Sequence, residues 1–153
     1  MEIRFATQND AQTVSGMLKA LGDEMAERAG AVVNTDRDSI EKLFGENLDT
    51  KFHALILENG GRAIGFATFY ESFALYAGGS YMTVTELFIE SASRSKGYGA
   101  QALEWLREYG KRAGYSRIEL TTPPVPEFQR SLDFYLQNGF EVTGGRKVKY
   151  DLL

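Results

Sequence analysis

The stretch Arg94-Ser95-Lys96-Gly97-Tyr98-Gly99-Ala100 holds the residue types best suited to gripping an anion. It follows an apolar run, Val84 to Ile89, and a helical pattern begins at Gly97. Strand, glycine-bearing turn and helix in that order leave several backbone N–H groups without a partner inside the helix. The helix dipole adds partial positive charge at the same end. Gly97 and Gly99 let a phosphate come close to the backbone, and Arg94 and Lys96 can add charge-assisted contacts. The spacing is neither G-x-x-x-x-G-K-[ST] nor G-x-G-x-x-G, so the stretch is not a P-loop and not the dinucleotide fingerprint. The competing reading is a plain strand-to-helix turn whose geometry needs the glycines.

The bulk of the chain bounds what such a turn could serve. At 153 residues the sequence reads as one domain, 1–153, long enough to bury a proper core. With 43% hydrophobic and 25% charged residues it has the composition of a soluble globular protein. Having no cysteine excludes disulfides, thiolate metal ligands and a cysteine nucleophile, and a single histidine argues against a transition-metal site. A net charge of −4 argues against nucleic acid as a partner. No apolar run approaches membrane-spanning length and no signal-peptide pattern is present, which points to a cytoplasmic location.

The elements that must position the turn can be read in order. Met1 to Ala6 alternates as a strand. Asn9 or Asp10 can cap a helix with Ala11, Val14, Met17, Leu18 and Leu21 on its apolar face. Gly22 to Gly30 either continues that helix or loops over a site. Thr35, with Asp38 three residues on, opens a second helix carrying Ile40, Leu43 and Phe44. His53–Leu57 and Ala63–Tyr70 flank an Asn59-Gly60-Gly61 hairpin turn, and Tyr81–Ile89 is the next strand. A helix from Gly97 ends near Gly110 or Gly114, and Arg117–Thr121 is a strand. After the rigid Pro123-Pro124-Val125-Pro126 connection comes a helix with Phe128, Leu132, Tyr135 and Leu136 on one face, stopped by Gly139. Phe140–Val142 and Lys147–Leu152 read as a closing hairpin through Gly144-Gly145.

R-x-x-G-x-G-A after a strand, carried by Arg94, Gly97, Gly99 and Ala100, resembles the pyrophosphate-binding signature of the GNAT superfamily of acetyl-CoA-dependent N-acetyltransferases. The element order β-α-α-β-β-β-α-β-α-β-β is similar to the GNAT fold along nearly the whole chain. Phe134-Tyr135-Leu136-Gln137-Asn138-Gly139-Phe140 matches the family's second segment, F-Y-x-x-x-G-F. The resemblance implies an α/β (α+β) chain with a central mixed, mostly antiparallel six- or seven-stranded sheet and helices on both faces.

Acetyl transfer from a thioester to an amine needs a neutral amine, hydrogen-bond donors for the carbonyl oxygen, a proton for the thiolate and reactants held in line. The resemblance assigns these parts. Backbone amides at Phe88 and Ile89 would pair with the pantetheine arm of acetyl-CoA, in a gap where their strand splays from the next. Amides of Ser95, Lys96, Gly97, Tyr98, Gly99 and Ala100 would hold the diphosphate, with Arg94 beside it. Tyr135 would protonate the thiolate, where the alternative is an aromatic packed in the core. Glu86 stands where many relatives carry a strand carboxylate, and would take the amine's proton or pair with a cationic substrate. Its alternative is a solvated surface acid, with Glu90 as the neighbouring acid and His53 as a base by residue type. Thr85 and Glu86 point to opposite faces of a regular strand, so the bulge common in the family decides which one faces the cleft. Phe128 stands where many members place an asparagine that contacts the coenzyme.

Gly65 to Tyr70, the aromatic loop with Gly78-Gly79, and Tyr81 leading to Glu86 look like the diamine and polyamine acetyltransferase branch. That branch carries a glutamate at Thr85. Glu24, Tyr70, Tyr76, Tyr81 and Thr85 are then the candidate substrate residues, since aromatics and carboxylates suit a cationic amine. The expected acceptor is the primary amine of a small molecule, a diamine, polyamine or lysine-like amine, with an aminoglycoside or a protein amine as the alternative. Two other classes remain: a non-catalytic acyl-CoA-binding module, and a regulator that holds ATP at the glycine turn. No metal, nucleic acid or membrane is expected, and a homodimer is common in the family.

Overall fold

Period-two patterning with β-favouring side chains builds five strands, and a glycine pair closes the tightest turn between them. In the computed structural model, which describes residues 1–153, two units separate, residues 1–121 and 122–153. In the first, β1 (Glu2–Phe5) pairs with β2 (His53–Asn59), β2 with β3 (Arg62–Ala74), and β3 with β4 (Gly79–Ile89), all antiparallel. β5 (Ile118–Leu120) joins β4 in parallel, so the mixed sheet has the order β1-β2-β3-β4-β5. The parallel pairing needs a crossover, and α3 (Tyr98–Ala113) supplies it. α1 (Ala11–Ala29) and α2 (Arg37–Asn47) fill the connection from β1 to β2.

Alternation along the strands sorts the apolar side chains onto two faces. Ala54, Ile56, Phe66 and Phe88 join Val14 of α1 and Phe44 of α2 in one buried cluster. On the other face Phe69 meets Tyr109 of α3 with ring centroids 5.3 Å apart, and Phe5 meets Trp105 at 5.3 Å. Leu103 and Leu106 of α3 are fully buried. Helices therefore cover both faces, and each fully buried leucine or phenylalanine contributes about 1.5–3 kcal/mol. Gly65 is a position where no side chain fits, since a Cβ there would lie 2.4 Å from the Phe88 carbonyl oxygen. Its absence lets β3 run close under the end of β4.

Several sequence expectations shift. Residues 22–29 continue α1 as helix, and Gly30 ends it with a φ of 62°. α2 is capped by Asp36 rather than Thr35, its carboxylate accepting from the Ser39 amide at 2.9 Å. In the second unit α4 (Gln129–Gln137) follows the proline-rich segment, and Gly139 takes a φ of 83° just beyond it. The expected hairpin of Phe140–Val142 with Lys147–Leu152 does not form, so the sheet has five strands and not six or seven. Val142, Val148, Tyr150 and Leu152 are 69–89% exposed. A lone two-stranded hairpin is marginal in water, and these residues bury no face that would support one.

Candidate active site

The site begins where the sheet opens. β4 pairs with β5 only from Met82 to Val84, so from Thr85 to Ile89 its edge on that side has no strand partner. β3 occupies the other edge up to Ile89. The Glu90 amide donates to the Ile64 carbonyl at 2.9 Å, and antiparallel pairing alternates the direction of successive backbone groups. Phe88 therefore turns its backbone groups towards β3, while Leu87 and Ile89 turn theirs to the open side. Consistent with this, the Ile89 carbonyl accepts from Arg94 Nε at 2.8 Å. Of the two expected amide positions, Ile89 faces the gap and Phe88 does not. Leu87 faces the same open side as Ile89, a parity that the sequence alone could not assign.

Thr68 pairs with Glu86, but Phe69 pairs with Val84, so Thr85 is the extra residue of a β-bulge. The consequence is chemical. In a regular strand Glu86 would share the face of Val84, against α3. The bulge resets the alternation, and Thr85 and Glu86 both reach the α1–α2 face. Thr68 bonds to both, its hydroxyl lying 2.7 Å from Thr85 Oγ1 and in contact with Glu86 Oε2.

These side chains form one end of a cavity of about 400 Å³, a volume suited to a small molecule. α1 contributes Val14 and Leu18, and α2 contributes Ile40, Leu43, Phe44 and Asn47. Asn34, Lys51 and Phe52 come from the loops, and Phe66, Thr68 and Tyr70 come from β3. Glu86 is the one acid among the lining residues and pairs with no cation. Burial pushes its carboxyl above the ordinary carboxylate value, and a hydrogen bond from Thr85 opposes that shift. A carboxyl so placed gains basicity, as a proton acceptor for an amine requires.

At the far end of β4 the chain enters the glycine turn. Ser95 and Gly97 both take left-handed conformations, with φ of 63° and 82°. The first hydrogen bond of the helix is that of the Gln101 amide to the Gly97 carbonyl, so the amides of Tyr98, Gly99 and Ala100 precede the helical ladder. They point out of the helix N-terminus, where the dipole favours an anion. Arg94 does not hang free beside them. Its Nη1 and Nη2 donate to Glu24 at 3.0 and 2.7 Å, and its plane lies 5.6 Å from the Phe88 ring. Lys96 donates to the Ala92 carbonyl at 3.1 Å.

Of the remaining candidates within residues 1–121, Tyr70 and Thr85 line the cavity and the others do not. Glu24 belongs to the Arg94 pair and does not line it; the arginine holds its carboxyl below the ordinary value. Tyr76 and Tyr81 lie beside the Arg117 guanidinium, 5.1 and 5.4 Å from it, and do not line the cavity either. Glu90 is clasped by Arg62 and Ser93, which bring its carboxyl down to about 2, too acidic for a base. His53 contacts Asp49 at 2.9 Å and packs on Phe69, on the α3 face. In the second unit Tyr135 packs edge-on against Phe134 and Phe140, at 5.1 and 5.6 Å. Burial pushes its phenol up to about 12, so it stays protonated at neutral pH. Phe128 is 4% exposed.

The profile described as "Acetyltransferase (GNAT) family" matches residues 18–140. The chain belongs to the GNAT acetyltransferase family. Among its relatives is the uncharacterized N-acetyltransferase YhfO of Bacillus subtilis, 32% identical over 91 residues, which are 60% of each chain. The aminoalkylphosphonate N-acetyltransferase of Salmonella typhimurium is 26% identical over 97% of this chain and 90% of its own. Among solved structures, a protein described as a transcriptional regulator from Bacillus halodurans superposes with a TM-score of 0.78 at 27% identity, over 97% of this chain and 99% of that one. A ribosomal-protein-alanine N-acetyltransferase from Brucella melitensis shares the fold, with a TM-score of 0.74 at 22% identity, over 99% of this chain and 100% of that one. The GNAT α+β fold and the acetyltransferase class expected from the sequence both hold. No helix of this GNAT chain is long and apolar enough to cross a membrane.

Proposed function

We propose that this chain transfers the acetyl group of acetyl-CoA to the primary amine of a small molecule, by direct attack within a ternary complex. The observation that carries this reading is the bulge at Thr85, which brings the half-buried carboxyl of Glu86 into a cavity beside the open edge of β4.

Each part of the reaction has a supporting feature. The amides from Ser95 to Ala100 hold the diphosphate, with Gly97 and Gly99 allowing close approach. The backbone of Ile89 and Leu87 pairs with the pantetheine arm and donates to the thioester oxygen as it gains charge. Glu86 accepts a proton from the entering ammonium, directly or through a water, and frees the nitrogen lone pair. That nitrogen attacks the carbonyl carbon, the new C–N bond forms and the C–S bond breaks. The attacking nitrogen then releases its second proton to water as the tetrahedral adduct collapses. The departing sulfur takes its proton from Tyr135, and the phenolate is reprotonated from solvent, so the one proton released overall is the one Glu86 first accepted. Diamine, polyamine and lysine-like amines are all small enough for the cavity. The contacts of Arg94 with Glu24 and Ile89 give it a second part, tying α1 to the end of β4 while its loop holds the diphosphate.

The test is an acetylation assay on a panel of primary amines, run with the wild type and Tyr135→Phe. Loss of a general acid lowers kcat by about 10²-fold or more. Tyr135→Phe should do so while coenzyme A binding stays within about threefold. Coenzyme A binding with no turnover on any amine would instead favour a non-catalytic acyl-CoA module.

A further inference from the structure

A cavity suited to a diamine should offer no like charge to either ammonium, because like charges at close range repel. This one offers a single carboxylate, Glu86, at its sheet end. Its other charge has the opposite sign. Lys51 lines the same cavity from the turn between α2 and β2, where Asp49 takes a φ of 61°. Lys19, Lys96, Lys111 and Lys149 are engaged with Asp23, the Ala92 carbonyl, Glu108 and Asp151, while Lys42 and Lys147 do not line the cavity. The Lys51 ammonium has no such partner. Much of the remaining lining is apolar, with Ile40, Phe44 and Phe66 among it.

We infer that the acceptor is an amine bearing an anionic group, whose ammonium goes to Glu86, whose apolar mid-section lies along the walls and whose oxyanion pairs with Lys51. This rests on the acetyltransferase reading above and narrows its acceptor to amino carboxylates and similar zwitterions. It disfavours the diamines and polyamines that the likeness of sequence suggested. Lys51 is then the specificity-determining residue.

The experiment compares kcat/KM for three acceptors of matched length, an ω-amino carboxylate, an α,ω-diamine and a neutral alkylamine. It uses the wild type, Lys51→Met and Lys51→Glu, at an exposed site. A charge-assisted hydrogen bond is worth about tenfold or more in affinity. The wild type should therefore favour the amino carboxylate over the diamine by about tenfold. Lys51→Met should erase most of that ratio through KM, and Lys51→Glu should invert it. Raised salt should shrink the wild-type preference, as screening of a partly exposed pair requires. A wild type that uses the diamine equally well, or a Lys51→Met ratio equal to that of the wild type, overturns the inference and leaves the acetyltransferase reading intact. No transfer to any of the three, the neutral alkylamine included, overturns both.

Discussion

The cavity around Glu86 and the turn from Arg94 to Ala100 are joined by a single strand, yet they use different parts of the polypeptide. On the proposed reading the chemistry of the cavity sits on side chains, and the backbone's contribution is one extra residue, Thr85, which decides where Glu86 points. In the turn it sits on the main chain. There the side chains of Arg94 and Lys96 are engaged with Glu24 and the Ala92 carbonyl, and φ angles of 63° and 82° shape the row of amides. The difference teaches where each region is vulnerable. A side-chain site fails when a functional group is removed, and a main-chain site fails when its geometry is.

The sharpest break in that contrast is Glu86→Gln. It keeps the shape and removes the proposed base, so kcat should fall by about 10²–10⁴-fold. Coenzyme A affinity, measured by calorimetry, should hardly move, because no part of the turn is touched. The next effect belongs to the turn. Gly97→Val places a β-branched residue at a φ of 82°, which costs about 1–2 kcal/mol or more, and it crowds the approach to the amides. Coenzyme A affinity should drop by about tenfold or more, whereas Lys96→Ala, which removes only a side-chain charge, should cost about threefold or less. If Lys96→Ala weakened binding more than Gly97→Val, the main-chain description of the turn would be wrong.

The smallest effect concerns stability. Burial holds the Glu86 pKa above its unfolded value, so its protonated form is favoured by folding. That contribution is fully present below the unfolded carboxyl pKa and is lost as pH rises through the folded one. At neutral pH the wild type thus bears the stability cost of that raised carboxyl, which Glu86→Gln lacks. Melting curves should show the variant as the more stable of the two at pH 7. The gap should close below about pH 4, where the carboxyl is protonated in both states. A variant that gains stability while losing rate is the trade-off expected of a functional group held at a cost in solvation.

Most of the element order was legible in the sequence because it rests on local signals. Asn59-Gly60-Gly61, the apolar stripe of α1 and the glycines bounding α3 each act within a few residues. The turn at Arg94 was legible for the same reason. What was not legible depends on pairing between distant strands. The bulge at Thr85 leaves no composition signal, and without it neither the face of Glu86 nor the edge of Leu87 can be assigned. Thr68 and Lys51 join the site only through the register of β3 and the path of the α2–β2 turn. The closing hairpin was misread because alternation at Val148, Tyr150 and Leu152 reports an amphipathic pattern, and a pattern alone does not supply a partner ladder.

The most direct test is a crystal structure of the protein with coenzyme A and an amine acceptor. The diphosphate should lie within hydrogen-bond distance of amides between Ser95 and Ala100, and the acceptor nitrogen within reach of Glu86, directly or through one water. A diphosphate bound away from that turn, or an acceptor nitrogen lying on the α3 side of the sheet, would contradict it.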